Sequence, residues 1–281
     1  MPSKIYYLYS ETAAEALDAI DRNVGEVTIS ADLNISTNTF PIRQQRLVFD
    51  DNNSVGTDDL KTIAGKDKRV FCIRDGRLEI LESRQDGYHK LVPTSSAPYL
   101  ETSGVKMHIS KGTCPFGNAV KTTALAVKRG DRVLDTCGGL GYTVIAALKH
   151  GARKVVSVEI NPVVISLREM NPWSVQLADS RIQTVNADIG DYIGKLEDES
   201  FDSIIHDPPR FSLAGDLYGE DFYRELFRVL KKKGTLFHYT GNPGIVKRGK
   251  NFTGNTAKRL GFAGFRKITP TRKFMGLTAV R

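Results

Sequence analysis

The chain has 281 residues, with 40 Lys or Arg against 32 Asp or Glu and a formal net charge of +8. That length allows a full α/β core plus a smaller domain, since domains commonly run about 100 to 200 residues. No apolar run approaches the roughly 20 residues of a membrane span, which excludes a membrane-embedded role.

The amino terminus, Met1-Pro2-Ser3-Lys4-Ile5-Tyr6-Tyr7, lacks the basic region, apolar core and cleavage site of a secretion signal, so a cytoplasmic protein is expected. Its cysteines, Cys72, Cys114 and Cys137, are odd in number and widely spaced, which supports neither a disulfide framework nor a metal site. A short helix is predicted over Glu11 to Ile20. Strands are predicted at Glu26 to Ser30, Gln45 to Phe49, Arg69 to Ile73 and Leu78 to Leu81, with Asp75-Gly76 a hairpin signal between the last two. Residues 1–100 thus read as a β-rich accessory domain and 101–117 as a connecting segment.

From Asn118 the pattern changes. Helices are predicted at Asn118 to Arg129, Tyr142 to His150, Pro162 to Met170 and Asp221 to Lys231. Between them lie the Val/Ile-rich runs Arg132 to Asp135, Lys154 to Glu159, Ile182 to Asn186, Phe201 to His206 and Gly234 to Tyr239. Near-continuous apolar strands alternating with helices indicate a parallel sheet covered on both faces. Phe265 to Thr269 and Gly276 to Val280 read as a closing antiparallel pair, and residues 118–281 as one α/β domain with a doubly wound, mostly parallel sheet.

Ligands of open α/β sheets bind outside the carboxyl ends of the strands, where strand order reverses. Asp135, Glu159, Asp188 and Asp207 fall at or just past such ends and therefore converge on one cleft. Asp135 leads into the turn Thr136-Cys137-Gly138-Gly139-Leu140-Gly141, where Gly139 and Gly141 let backbone approach a ligand. Glu159 is placed to accept from ribose hydroxyls and Asp188 from an adenine amino group. A nicotinamide dinucleotide is a competing occupant. Two features oppose it: Val144 stands where the third small residue of its fingerprint belongs, and Asp135 would repel a pyrophosphate while suiting an ammonium.

The second strand of note ends in Asp207-Pro208-Pro209-Arg210-Phe211. Two prolines hold the chain extended and remove two donors, leaving carbonyls free to accept from an amino group. Asp207 and the Pro208 carbonyl are expected to draw an N–H₂ group toward tetrahedral geometry for in-line attack on a sulfonium methyl, without a metal or a strong base. Phe211 or Arg210 is expected to stack on the acceptor. His238 and Tyr239, at the end of the next strand, are candidate substrate contacts; His206 is expected to point into the core. Trp173 is divided between core packing and a substrate-pocket wall. Cys137 as a nucleophile finds no evident base nearby.

Over Asn118 to Arg281 these residues resemble the class I S-adenosylmethionine-dependent methyltransferases, which share a Rossmann-like methyltransferase sheet. The resemblance implies S-adenosyl-L-methionine held by Asp135, Cys137, Gly139, Gly141, Glu159 and Asp188. It implies catalysis of amino methylation at Asp207, Pro208, Pro209 and Phe211. Asp135 to Tyr142, Asn171 to Ser174, His206 to Leu217, Phe237 to Gly244 and the approach segment Ser103 to His108 further resemble a set of predicted archaeal-type methyltransferases. Cys137 departs from the family's usual glycine, and Arg210 from its usual aromatic residue.

Charge is uneven. Residues 1–100 hold 12 basic against 15 acidic side chains, and residues 101–281 hold 28 against 17; beyond Leu226 there are fourteen basic residues and no acid, including Lys231-Lys232-Lys233 and Lys247-Arg248. Such an excess is the footprint of a surface that meets a polyanion, or a solvated basic rim. The leading expectation is methylation of a base amino group in ribosomal or transfer RNA. Alternatives are methylation of a protein glutamine amide and aminopropyl transfer of the polyamine-synthase class, the latter requiring an acidic pocket. A scaffold that only docks RNA is the remaining contrast.

Overall fold

A computed structural model of the chain describes residues 4–110, 112–241 and 252–281, and divides it into two units: Met1–Pro115 with Ser166–Val175, and Phe116–Ile165 with Gln176–Arg281. The expected basic pair Lys247-Arg248 and the stretch Asn242 to Gly244 lie outside the described residues.

The first unit is built from antiparallel sheets. One joins Tyr6–Leu8, Phe71–Arg74 and Arg77–Ile80. Its hairpin turns through Asp75 and Gly76, both at positive φ (51° and 71°), the two-residue geometry their sequence forecasts. A second sheet orders Glu26–Ile29, Asn38–Arg43, Arg46–Val48 and Ser54–Gly56; a third orders Val105–Lys106, Tyr99–Thr102, His89–Val92 and Glu82–Ser83. The helices Ser10–Asp21 and Thr57–Ala64 bury Ala13, Ala16, Ile20, Leu60 and Ile63 in a core with Tyr6, which stacks on Phe49 at 4.6 Å. Trp173 belongs to this unit, its indole N–H donating to the Leu33 carbonyl at 2.7 Å.

The second unit contains β1 (Arg132–Asp135), α1 (Tyr142–Lys149), β2 (Lys154–Glu159), β3 (Ile182–Asn186), α2 (Ile189–Tyr192), β4 (Phe201–His206), α3 (Glu220–Val229), β5 (Leu230–Tyr239), α4 (Phe252–Phe262), β6 (Arg266–Thr271) and β7 (Gly276–Val280). The sheet runs β3-β2-β1-β4-β5-β7-β6. The first five strands in that row are mutually parallel and β7 runs against both its neighbours. This is the expected doubly wound, mostly parallel architecture, beside extra β-rich sheets. Order reverses between β1 and β4, which puts a crevice at their carboxyl ends. β6 is the edge strand, and Pro270 sits there without breaking a central ladder.

The lead-in helix spans only Pro115–Thr123, shorter than expected. Thr122 closes it by turning its hydroxyl onto the Asn118 and Ala119 carbonyls. β5 starts at Leu230 rather than Gly234, so Lys231 to Lys233 lie in a strand and not at a helix end; Lys233 has φ +66°, beside a register irregularity between Phe201 and Ser203.

Candidate active site

Asp135, ending β1, is 1% exposed and accepts from Thr143 Oγ1 at 3.2 Å and Ser157 Oγ at 3.0 Å. Beyond it the chain turns sharply. The Gly138 amide donates to the Val158 carbonyl at 2.9 Å and the Gly141 amide to the Gly138 carbonyl at 2.7 Å. Gly141 caps α1 with φ +80°, and a β-carbon there would stand 2.5 Å from Leu177 Cδ1. Gly139 also has positive φ (49°), but a β-carbon there would meet nothing within 4 Å.

Glu159, ending β2, clasps this turn. One carboxylate oxygen accepts from the Gly139 amide at 2.8 Å and the other from the Asn161 amide at 2.9 Å. Asp188 is exposed and caps the N-terminus of α2, accepting from the Gly190 amide at 2.7 Å. Cys137 lies in the turn after Asp135: burial, then Glu159, Asp135 and Asp207, push its thiol well above the usual range. A thiol held protonated in this way is no nucleophile. This donor set is anionic, which suits a cationic adenosyl sulfonium with ribose hydroxyls and opposes a pyrophosphate.

Asp207 follows β4 and is half-buried. Burial and the neighbouring Asp135 raise its carboxyl from 3.8 to about 7. Pro208 is buried and Pro209 half-buried, the Pro209 carbonyl accepting from the Tyr218 hydroxyl at 2.9 Å. Arg210 is exposed. Phe211 is 49% exposed and meets Tyr218 and Phe252 edge-on, each at 5.6 Å. Tyr239 is half-buried, and its phenol is raised to about 12 by burial and by Asp207, with Arg210 acting in the opposite direction.

His238 is fully buried, which places it in the interior and not on the crevice wall. It is the register partner of His206, so the two imidazoles project to one side, 4.4 Å apart. Both hold their pKa below the usual value through burial, His206 at about 4, and both are neutral near pH 7. His206 Nε2–H donates to the Leu217 carbonyl at 2.9 Å, so its Nδ1 accepts from the Thr136 hydroxyl at 2.7 Å. His238 Nδ1–H donates to the His206 carbonyl at 3.2 Å and its Nε2 accepts from the Tyr223 hydroxyl at 2.9 Å. Thr136, Tyr218, Tyr223 and Phe252 escaped the sequence reading. Only the strand pairing between residues 206 and 238 would have flagged the histidines together.

The sequence pattern of the spermine/spermidine synthase domain matches residues 120–276. A Methanocaldococcus jannaschii chain described as uncharacterized protein MJ1233 is 40% identical over 279 residues, covering 98% of this chain and 95% of its own. Polyamine aminopropyltransferase 1 of Streptomyces coelicolor is 32% identical over 203 residues, 66% of this chain but only 37% of that enzyme's length. Among solved structures, a spermidine synthase in complex with the transition-state analogue AdoDATO shares the fold, with a TM-score of 0.58, 19% identity, and coverage of 73% of this chain and 75% of that one.

Proposed function

Since this chain belongs to the spermine/spermidine synthase domain family, we propose that it transfers an alkyl group from an S-adenosyl sulfonium to an amine nitrogen, with aminopropyl transfer from decarboxylated S-adenosylmethionine as the leading form. The observation that carries this reading is Asp207, a half-buried carboxyl at the carboxyl end of β4, raised to about 7 by burial and by Asp135. An amine acceptor arrives protonated at neutral pH and must lose a proton before its lone pair can attack. A base near pH 7 suits that task, whereas an exocyclic base nitrogen has no such proton to shed. The family match likewise supports the alternative of aminopropyl transfer more strongly than RNA methylation.

In this reading Glu159 and the Gly139 turn hold the adenosyl ribose, Asp188 the adenine side, and Asp135 the aliphatic ammonium. Bound there, the donor supplies an electrophilic carbon on sulfur, so that a new N–C bond forms as the C–S bond breaks and a neutral thioether leaves. Asp207 takes the proton released by the nitrogen. The Pro208 carbonyl accepts from a remaining N–H, and Tyr218, by holding the Pro209 carbonyl, fixes the approach. Phe211 and Tyr239 line the acceptor side.

Methyl transfer to an RNA amino group is the second reading, favoured by Asp207-Pro208-Pro209 and by the fourteen basic residues after Leu226. Labelled S-adenosylmethionine and labelled decarboxylated S-adenosylmethionine, each offered with the RNA, protein and small-molecule fractions of a cell extract, test both. Label passing from the decarboxylated donor into small amines, and lost with Asp207→Ala, is the expected result. Methyl label in RNA would replace it with the second reading, and label in no fraction would overturn both.

A further inference from the structure

Four lysines border one cavity at the other end of the second unit's parallel strands. Lys128, just before β1, and Lys231, Lys232 and Lys233 of β5 surround a space of about 180 Å³ together with Asp131 and Asp202. Asp202 stands at the amino end of β4, whereas the candidate active site lies past its carboxyl end. His206, the last residue of that strand, is about 13 Å further on at the rise of a β-strand. The cavity is therefore separate from the crevice at Asp135 and Asp207.

In a regular strand neighbouring side chains project to opposite faces, so three consecutive ones would not share one space. Here β5 is irregular where the lysines stand. Phe201 pairs with Leu230 and Ser203 with Thr235, so β5 advances five residues while β4 advances two. Lys233 takes a left-handed backbone, φ +66°, and its amide donates to the Arg281 carbonyl at 3.0 Å. Buried Gly234 follows, and a β-carbon there would stand 2.8 Å from the Lys231 carbonyl oxygen. A bulge of this kind re-aims side chains, and all three lysines border the cavity.

The acids of the cavity are already engaged. Asp202 accepts from Lys231 Nζ at 2.6 Å and from the Arg132 amide at 2.8 Å, with Arg153 at 3.6 Å. Asp131 accepts from the Ser203 hydroxyl and, at 2.8 Å, from the Lys128 amide. Lys128, Lys232 and Lys233 are exposed, and among the described residues none of their ammonium groups has a hydrogen bond or ion pair. Like charges gathered around a concave surface repel one another and focus a positive field there.

We propose that this cavity is an anion site that seats a phosphate chain, supplied by a free diphosphate or triphosphate or by consecutive phosphodiesters of an RNA strand. Three uncommitted ammonium groups around a space with room for several waters match a multiply charged oxyanion, and lysine binds phosphate as a point charge. The site gives the acid-free basic stretch beyond Leu226 a defined docking point and does not depend on the reaction assigned to the crevice.

The test is calorimetric titration of the full chain at low ionic strength with pyrophosphate, with a short oligouridylate and with succinate, repeated over a salt series. Pyrophosphate or the oligouridylate should bind, and Lys128→Gln and Lys232→Gln should each weaken that binding by about tenfold, the scale of one charge-assisted hydrogen bond. Lys233→Gly, which removes the ammonium and suits the left-handed backbone, should do the same. For the oligouridylate each substitution should also reduce the slope of log K against log salt by about 0.7. Asp207→Asn, in the crevice, should leave binding unchanged. Tighter binding of pyrophosphate assigns a free oligophosphate, and tighter binding of the oligouridylate an RNA backbone. No binding of either, binding that the three lysine substitutions leave intact, or binding lost with Asp207→Asn would overturn the inference. Succinate bound as tightly as pyrophosphate and the oligouridylate would overturn its assignment to phosphate.

Discussion

Replacing Asp207 by Asn should abolish alkyl transfer and, at the same time, stabilise the fold at neutral pH. The carboxyl is displaced from 3.8 to about 7 by burial and by Asp135. Each pH unit of displacement corresponds to about 1.4 kcal/mol, so ionised Asp207 costs the folded chain up to about 4 kcal/mol. Water reaching the half-buried carboxyl screens part of that, leaving about 2 kcal/mol. The sign follows from proton linkage: the folded chain binds this proton more tightly than the unfolded one, so the contribution is fully present below pH 3.8 and is lost as pH rises through about 7. Asn does not titrate, and the histidine contributions cancel between the two proteins. Urea unfolding of both at pH 4.5 and pH 8 should therefore show the Asn variant gaining about 2 kcal/mol over the unaltered chain across that interval. A difference that stays flat, or shrinks as pH rises, would refute the placement of Asp207 as a proton-holding base.

Glu159→Gln should weaken donor binding by about tenfold in calorimetry, because a neutral amide cannot accept from the Gly139 and Asn161 amides through both its atoms and grips ribose hydroxyls less strongly; unchanged affinity would move the ribose elsewhere. Gly141→Ala should cost about 1–3 kcal/mol in denaturant unfolding, from its φ of +80° and the approach to Leu177, and adding Leu177→Ala should relieve the steric part alone. Tyr223→Phe should cost about 1–2 kcal/mol by leaving the buried His238 Nε2 without its donor; a neutral outcome would refute the contribution of this hydrogen bond to stability. The pH profile of kcat/KM should rise with a midpoint near 7 as Asp207 ionises, and a midpoint in the ordinary carboxylate range would contradict its raised pKa.

The parallel strands were legible because their signal is local. Arg132–Asp135, Lys154–Glu159, Ile182–Asn186 and Phe201–His206 form over the stretches their β-branched runs forecast. The acids at their tips followed at once, since topology alone delivers strand ends to one crevice. Helix Phe252–Phe262 was invisible: Gly254, Gly261, Thr253 and Thr256 are poor helix formers, and it forms by burying Thr256 and Leu260. Short strands such as Ser54–Gly56 and Val105–Lys106 offer too few residues for any period to show. His238 was placed on the crevice because it ends a strand beside it. Its register with His206 decides otherwise, and register is a long-range property that no window of sequence contains.

The interior histidines tie the turn after β1 to the loop after Pro209, and they do so as neutral rings. Thr136 stands in the turn after β1 and Leu217 in the loop after Pro209, and a single imidazole bridges them, accepting from one and donating to the other. A protonated ring would donate from both nitrogens, and the Thr136 hydroxyl would have to turn from donor to acceptor. Burial prevents that by holding His206 near 4. His238 then fixes the carbonyl of His206 from behind, and Tyr223 fixes His238. Asp207 immediately follows His206 in the chain, so its position is set by both loops at once. A carboxyl whose pKa is raised first by burial and then by Asp135 is sensitive to that position: a shift toward solvent or away from Asp135 would lower it, and a shift into the interior would leave it protonated at neutral pH.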